Sequence, residues 1–298
     1  MTANITTIGI WGAGVVGQAT GYLLSKREDI GITYYDKFKE EFKNNAITLL
    51  RDSSFIFLCL PTPMKSNGEI SLDYIDKSLE EIDILCYENS IDLSKKIFIF
   101  RSTMIPGSTD FFSFKFGLRC AYLPEFLTEK NSYEDAVNTD KMVIGTHDDD
   151  IFKQIYKLFF PILKRNVRYS HLLPKEAEAV KYLSNIFLAS QVAIANELYF
   201  ICEKIDVDYN KVRKVLLSDR RIGTFTQVPG NDGDFGFGGK CFKKDMEAFA
   251  SMAVNYGYVP NIIDTILLEN DLIRKNKDWY DIPGAYEDCK YDNDSEGI

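Results

Sequence analysis

Ile5-Thr-Thr-Ile-Gly-Ile-Trp-Gly-Ala-Gly-Val-Val-Gly17 decides the fold. Its first seven residues, Ile5–Trp11, have the β-branched and aromatic character of a strand. A G-x-G-x-x-G turn follows at once (Gly12, Gly14, Gly17), and a helical pattern opens at Val15 and Val16. In that context the first glycine permits the tight turn. The second lets a pyrophosphate approach the backbone, and the third lets helix and strand pack closely. The phosphates then meet the unpaired amides and positive dipole of the helix start. Asp36 ends the second candidate strand nineteen residues after Gly17. A carboxylate there accepts hydrogen bonds from the adenosine ribose and repels a 2′-phosphate, so the expected cofactor is NAD, not NADP. The competing reading is a tight strand–helix turn with no ligand.

Outward from this stretch, short β-rich runs alternate with helical patterns. Candidate strands are Ile5–Trp11, Gly31–Asp36, Ser54–Leu60, Ile97–Ser102, Arg119–Leu123 and Lys141–Gly145. Runs such as F-I-F-L-C-L and I-F-I-F are apolar on both faces, as buried parallel strands are. The expected fold class is therefore α/β, a Rossmann doubly wound parallel sheet over residues 1–170. A long helix from Pro174 to Lys204 joins it to an all-α domain over 171–280, and apolar residues on nearly every face of that helix predict burial between domains or subunits. Further helices are expected at Tyr209–Leu217, Lys244–Tyr256 and Asn261–Lys275, around a glycine-rich loop, Pro229–Lys240. Asp278–Ile298 carries seven acids and one lysine and predicts a solvated acidic tail, assigned to 281–298.

The bulk numbers narrow the function. The chain has 298 residues and a formal net charge of -9. Roughly 150 residues per domain predicts two domains, and the acidity argues against a nucleic-acid or anionic-membrane partner. The N-terminus lacks the pattern of a signal peptide, and no apolar run is read as a membrane span. Cys59, Cys86, Cys120, Cys202, Cys241 and Cys289 are scattered without a C-x-x-C pair. They read as reduced thiols of a cytoplasmic protein, with no zinc or other metal site. His147 and His171 lack ligand spacing and read as structural.

Three constellations carry chemistry. F-G-F-G-G-K-C-F-K-K-D places Cys241, Lys244 and Asp245 beside a run of glycines that lets backbone approach a ligand. Lys240, Lys243 and Lys244 are expected to favour the thiolate, which is the nucleophile. A single cysteine is more often packing than catalyst, but a polar, cationic, flexible loop tilts the balance. Lys181 and Asn185 stand four apart and share a helix face amid apolar residues, so the lysine needs a partner; the bland alternative is a snorkelling lysine and a capping asparagine. Pro124-Glu-Phe-Leu-Thr-Glu129 follows a strand, where carboxylates lie beside the usual ligand crevice, though acids there are commonly plain surface.

Together these residues resemble the UDP-glucose/GDP-mannose dehydrogenase family. The matching blocks run in order. They are G-A-G-V-V-G at Gly12, L-P-T-P at Leu60–Pro63, S-T-M-I-P-G at Ser102–Gly107, P-E-F-L-T-E at Pro124–Glu129, A-E-A-V-K-Y-L-S-N at Ala177–Asn185, and D-R-R-I-G through G-G-K-C-F-K-K-D at Asp219–Asp245. The resemblance implies oxidation of a sugar C6 alcohol to a carboxylate with two NAD+. It implies that Cys241 captures the aldehyde as a thiohemiacetal that becomes a thioester, and that Lys181 and Asn185 stabilise the oxyanion. Asp245 and Thr103 would hold the catalytic water, and Glu125 would serve thioester hydrolysis. Pro61, Thr62, Thr103 and Lys244 would join Gly12, Gly14, Val15, Val16, Gly17 and Asp36 in holding NAD. Glu125, Phe126, Leu127, Glu129, Lys181, Asn185 and Gly238 would meet the nucleotide sugar, with Arg221 reaching the substrate of a neighbouring subunit in a homodimer.

The chain departs from the family pattern in places. Thr139 and Lys141 replace the usual proline and arginine, the loop before Cys241 reads as longer than the common form, and the usual C-terminal domain that helps hold the nucleotide has no counterpart, so a short form is expected. UDP-glucose is the leading substrate. The alternatives are another nucleotide sugar, a non-catalytic binding protein, or a β-hydroxyacid dehydrogenase of similar build, which needs a lysine but no thiol.

Overall fold

A computed structural model describes residues 6–128 and 130–287. Strands and helices alternate as β1 (Thr6–Trp11), α1 (Val15–Leu24), β2 (Ile30–Tyr35), α2 (Ala46–Asp52), β3 (Phe55–Leu58), α3 (Asp73–Glu88), β4 (Ile97–Phe100), α4 (Ser108–Phe116), β5 (Arg119–Tyr122), α5 (Ser132–Val137), β6 (Lys141–Gly145), α6 (Asp149–Phe159) and β7 (Arg168–Leu172). Helices follow: α7 (Pro174–Lys204), α8 (Tyr209–Leu216), α9 (Phe242–Asn255) and α10 (Asn261–Ile273).

The sheet has the order β2-β1-β3-β4-β5-β6-β7. Its central strands β3 and β4 are apolar on both faces because both faces are covered. Ile8, Ile10, Phe57 and Ile99 enter one core, and Trp11, Ile56, Leu58, Phe98 and Phe100 enter the other. The sheet is mixed, not wholly parallel as expected: β5 and β6 pair antiparallel, through Tyr122 and Gly145. A seventh strand, β7, which the sequence reading left out, pairs parallel with β6. An antiparallel join needs no long crossover helix, and only the six-residue α5 stands between these strands.

Contacts divide the chain into two units. One holds the residues up to Thr62 together with Leu72–Lys181, and the other holds Pro63–Ser71 together with the chain from Tyr182 onward. In the second unit the Pro63–Ser71 excursion is tied to the end of the described chain: the Met64 amide donates to the Ala285 carbonyl at 2.9 Å, and the Glu287 amide donates to the Met64 carbonyl at 2.9 Å.

Two expectations are corrected here. α7 is long and apolar enough to cross a membrane by length and composition alone, contrary to the reading that no segment is. Its buried positions include Glu178, Lys181, Asn185 and Asn196, whereas Phe187, Ile194, Leu198 and Ile201 are exposed in the single chain. Nor is the start of the acidic tail solvated. Trp279 is buried, with Lys243 Nζ 5.2 Å and Lys277 Nζ 5.3 Å from its ring centroid. Residues 288–298 of that tail, with Cys289, lie outside the described residues.

The glycine turn is set by space. Gly12 has φ +99, and a Cβ there would lie 2.3 Å from the Cys59 carbonyl oxygen; a Cβ on Gly17 would lie 2.0 Å from the Gly12 carbonyl oxygen. At Gly14 a Cβ would meet nothing within 4 Å. Gly17→Ala is therefore expected to lower stability by about 1–3 kcal/mol and to lose NAD binding with it. Gly14→Ala should keep its Tm within a degree or two and still bind NAD weakly. Calorimetry paired with NAD titration checks the pair, and equal Tm losses for both variants would contradict these roles.

Candidate active site

At the start of α1 nothing competes for the first-turn amides: no side chain caps the helix and no acid lies in its first turn. Asp36 sits against this turn, its carboxylate accepting from the Ala13 amide at 2.8 Å and the Phe38 amide at 3.0 Å. Lys39 Nζ donates to the Ala13 carbonyl at 2.7 Å. Open space at Gly14, bare amides and an acid at the end of β2 fit a dinucleotide. Next along the strand ends, Ser102 Oγ accepts from the Leu60 amide at 2.9 Å and donates to the Leu60 carbonyl at 2.7 Å. That pair joins the loop of Pro61 and Thr62 to the loop of Thr103.

A carboxylate of the same unit, Glu125, meets the first turns of α7. Lys181 Nζ donates to Glu125 Oε1 at 2.6 Å and to the Glu125 carbonyl at 2.9 Å, with both side chains nearly buried. Burial opposes ionisation of Glu125. The Lys181 ammonium, the Leu127 amide and the Arg101 guanidinium nevertheless hold its carboxyl below the usual range. The Phe126 ring lies under Lys141 Nζ at 3.8 Å and Lys181 Nζ at 5.9 Å, an arrangement in which cation and ring quadrupole attract. A cavity of about 30 Å³, lined among others by Arg101, Glu125, Phe126, Leu127 and Lys141, leaves room beside this pair; that suffices for about two waters. Glu129 lies outside the described residues.

One turn on from Lys181, in the second unit, Asn185 Nδ2 donates to Asp245 Oδ2 at 2.6 Å, and Lys244 Nζ donates to Asp245 Oδ1 at 2.6 Å. All three side chains are buried. Cys241 is exposed at the N-cap of α9. Two of the three lysines expected to favour this thiolate are paired elsewhere in the structure. Lys244 is committed to Asp245, and Lys243 to Glu247 at 2.7 Å and Asp271 at 3.1 Å. Their charges are compensated, and the N-terminus of the 14-residue α9 remains a source of positive potential next to Cys241. Burial pushes the Cys59 and Cys120 thiols up to about 12 and Cys86 to about 11, so these three are not nucleophiles near neutral pH. Gly238 packs against Arg274, where a Cβ would come within 2.0 Å of Nη2. Arg221 is exposed and pairs with its own Asp219. His147 bonds Asp110 at 3.0 Å, and His171 stacks on Phe152 with centroids 4.3 Å apart.

A sheet domain whose glycine turn fits a dinucleotide is thus followed by helices that carry the buried Lys181 and the exposed Cys241. Residues 35–163 match the NAD binding domain of the UDP-glucose/GDP-mannose dehydrogenase family, and residues 175–271 match its central domain; the chain belongs to this family. It is 33% identical over 235 residues to a UDP-glucose 6-dehydrogenase of Rickettsia bellii, covering 77% of this chain and 50% of the relative. A UDP-glucose 6-dehydrogenase of Haloferax volcanii is 31% identical over 234 residues, covering 74% of this chain and 53% of the relative. The chain thus spans about half the length of the curated relatives it matches. In fold it is similar to a UDP-glucose dehydrogenase of Pyrobaculum islandicum, with a TM-score of 0.78 and 23% identity over 91% of this chain and 69% of that one. It is also similar to a 3-hydroxyisobutyrate dehydrogenase of Mycobacterium tuberculosis, with a TM-score of 0.66 and 16% identity over 88% and 91% of the two chains.

Sequence reasoning missed Glu178. This fully buried carboxylate on α7 accepts from the Gly107 amide at 2.5 Å, the Thr109 amide at 2.7 Å and Thr109 Oγ1 at 2.6 Å, and so caps α4 from another element. An acid three residues before Lys181, so on the same face of α7, was the available signal. Burial pushes its carboxyl up to about 7 against those three donors. A folded-state value above the unfolded one of about 4.3 gives stability that is complete below about pH 4.3 and is lost as pH rises through 7. The Tm advantage of the native protein over Glu178→Gln is expected to be greater at pH 5 than at pH 8, by about 1–3 kcal/mol in stability. An advantage that grows with pH would show that the folded state prefers the ionised carboxylate.

Proposed function

We propose that this chain acts as a nucleotide-sugar 6-dehydrogenase on a UDP-sugar, with UDP-glucose to UDP-glucuronate as the leading reaction. Cys241 carries the proposal: an exposed thiol at a helix start, within a sequence block of the family's central domain. A simple alcohol dehydrogenase has no use for a nucleophile in that place. NAD+ would supply the oxidising power, two molecules per sugar bound in turn, each able to take up one hydride. Gly12, Gly14, Val15, Val16, Gly17, Asp36, Pro61, Thr62 and Thr103 are the residues that would hold it.

The alcohol has a C–H hydride to give, but the aldehyde gives none until a nucleophile adds. In the proposed sequence the Cys241 thiolate adds to the aldehyde carbon, and the former carbonyl oxygen takes up a proton to give a thiohemiacetal. Loss of hydride and proton leaves a thioester. Water attacks it with Glu125 receiving a proton, and the carboxylate product departs as the thiol is restored. Lys181 and Asn185 steady the negative oxygen at each tetrahedral stage, and Asp245 and Thr103 hold the water. The lysine is ready for this work because its charge is kept buried by Glu125. The scattered, largely buried thiols support a reducing, cytoplasmic setting.

The fold likeness to a hydroxyacid dehydrogenase keeps one rival reading, and Cys241→Ala separates the two. The variant is expected to bind NAD and UDP-glucose, to lose acid formation by several orders of magnitude, and to release at most one NADH per sugar in a single turnover. The aldehyde should be trapped by a hydrazine reagent. Two NADH per sugar at a near-native rate would overturn the thiol mechanism.

A homodimer belongs to the same proposal. Phe187, Ile194, Leu198 and Ile201 leave an apolar stripe exposed along α7, and the buried apolar clusters around Ala189 and Ala195 of the same helix hold three residues each among the described residues. Such stripes mark interaction surfaces, and a second copy would cover the stripe of the first. Light scattering should give twice the 34.1 kDa chain mass, and Phe187→Asp with Ile194→Asp should shift it towards the monomer. A stable monomer of the native protein at micromolar concentration contradicts the dimer.

A further inference from the structure

We infer that Arg274 and Asp278 are positioning residues for Cys241, bracing the glycine-rich chain that leads into it. The role in the reaction rests on the function proposed for Cys241; the brace itself does not.

Residues 230–239 include Gly230, Gly233, Gly236, Gly238 and Gly239. A segment of that composition has many accessible backbone states and does not hold one thiol position unaided. Five of those ten residues, Asp232, Asp234, Phe235, Phe237 and Gly239, are instead tied to α10 or to the turn after it. The Arg274 side chain is 1% exposed. Its Nη2 donates to Asp232 at 2.7 Å and Asp278 at 3.4 Å, its Nη1 to the Phe235 carbonyl at 3.3 Å, and its Nε to the Asn276 carbonyl at 2.8 Å. Asn270 forms a two-way pair with Phe237, accepting from its amide at 2.7 Å and donating to its carbonyl at 3.1 Å. Asp234 accepts from the Asn276 amide at 2.7 Å. The last link lies two residues before the thiol, where the Gly239 amide donates to the Asp278 carboxylate at 3.1 and 3.2 Å.

The glycines are where this brace enters. A Cβ on Gly238 would come within 2.0 Å of Arg274 Nη2, and one on Gly236, at φ +67, within 2.3 Å of Asn270 Oδ1. Beyond Cys241 the same short stretch takes hold again. Asp271 binds Lys243 at 3.1 Å, and Trp279 lies beneath that ammonium at 5.2 Å. The segment from Asn270 to Trp279 therefore grips the chain on both sides of the thiol. A buried guanidinium with two carboxylates leaves a costly unpaired charge if either side is removed, so the loop has one preferred path.

Two variants test this. Asp278→Ala removes the acceptor of the Gly239 amide at a partly exposed residue, and Arg274→Met removes the centre of the brace; should Arg274→Met fail to fold, Asp278→Ala carries the test. Both are expected to raise amide hydrogen exchange in the peptide spanning Phe235–Cys241 by at least tenfold, with exchange in the β1–β4 peptides unchanged. In single turnovers with UDP-glucose, release of the second NADH should slow by tenfold or more while the first slows by less than threefold. Arg274→Lys should recover part of that loss. Unchanged exchange in a folded Asp278→Ala protein overturns the brace. Raised exchange with both NADH steps slowed equally overturns its service to Cys241. Should Cys241→Ala itself yield two NADH, the proposed reaction fails, and the exchange result still decides whether the brace exists.

Discussion

A lysine ammonium taken out of water must find a counter-charge or give up its proton, and Lys181 finds Glu125. Much else follows from that demand. Lys181 lies on α7, and Glu125 follows β5, so satisfying one charge fixes the entry of α7 against the ends of the strands. Glu178, one turn earlier, fastens the start of α4 with three hydrogen bonds. The first turns of α7 therefore locate the two loops that carry Thr103 and Glu125. Those loops need no rigidity of their own, because a helix supplies it from outside.

The same logic of committed charge applies around Cys241. Three lysines near a thiol look, in sequence, like a local positive field. In the folded chain Lys243 and Lys244 spend their charge on carboxylates, and the start of α9 adds positive potential of its own. Charge near a nucleophile in sequence is therefore a poor guide to field at the nucleophile, since each ammonium goes to whichever acid the fold presents.

The central strands β3 and β4 were legible because each is apolar on both faces. Likewise α7 was legible to its ends, since Pro174 can open a helix and no glycine or further proline interrupts it before Lys204. The glycine turn was legible because each glycine answers a separate steric demand. β7 escaped notice because Arg168-Tyr-Ser-His-Leu172 alternates weakly and sits at the sheet edge. The candidate site was readable as residue types in blocks, but the partners of those residues were not. Nothing in the local pattern tells Arg274 that it will meet Asp232, or Trp279 that it will be buried within what reads as a charged tail; those outcomes depend on contacts about forty residues apart.

The Pro63–Ser71 excursion has a practical meaning for anyone who would dissect the molecule. The path of the chain passes from one unit to the other at Thr62, returns at Leu72, and passes again after Lys181. Boundaries in space and boundaries in sequence are thus different things here. A fragment cut after the long first segment would retain Met64 but lose Ala285 and Glu287, which pair with its backbone. Swapping the helical unit for that of a relative requires grafting the small excursion too. Nine residues of one unit are thus written inside the text of the other.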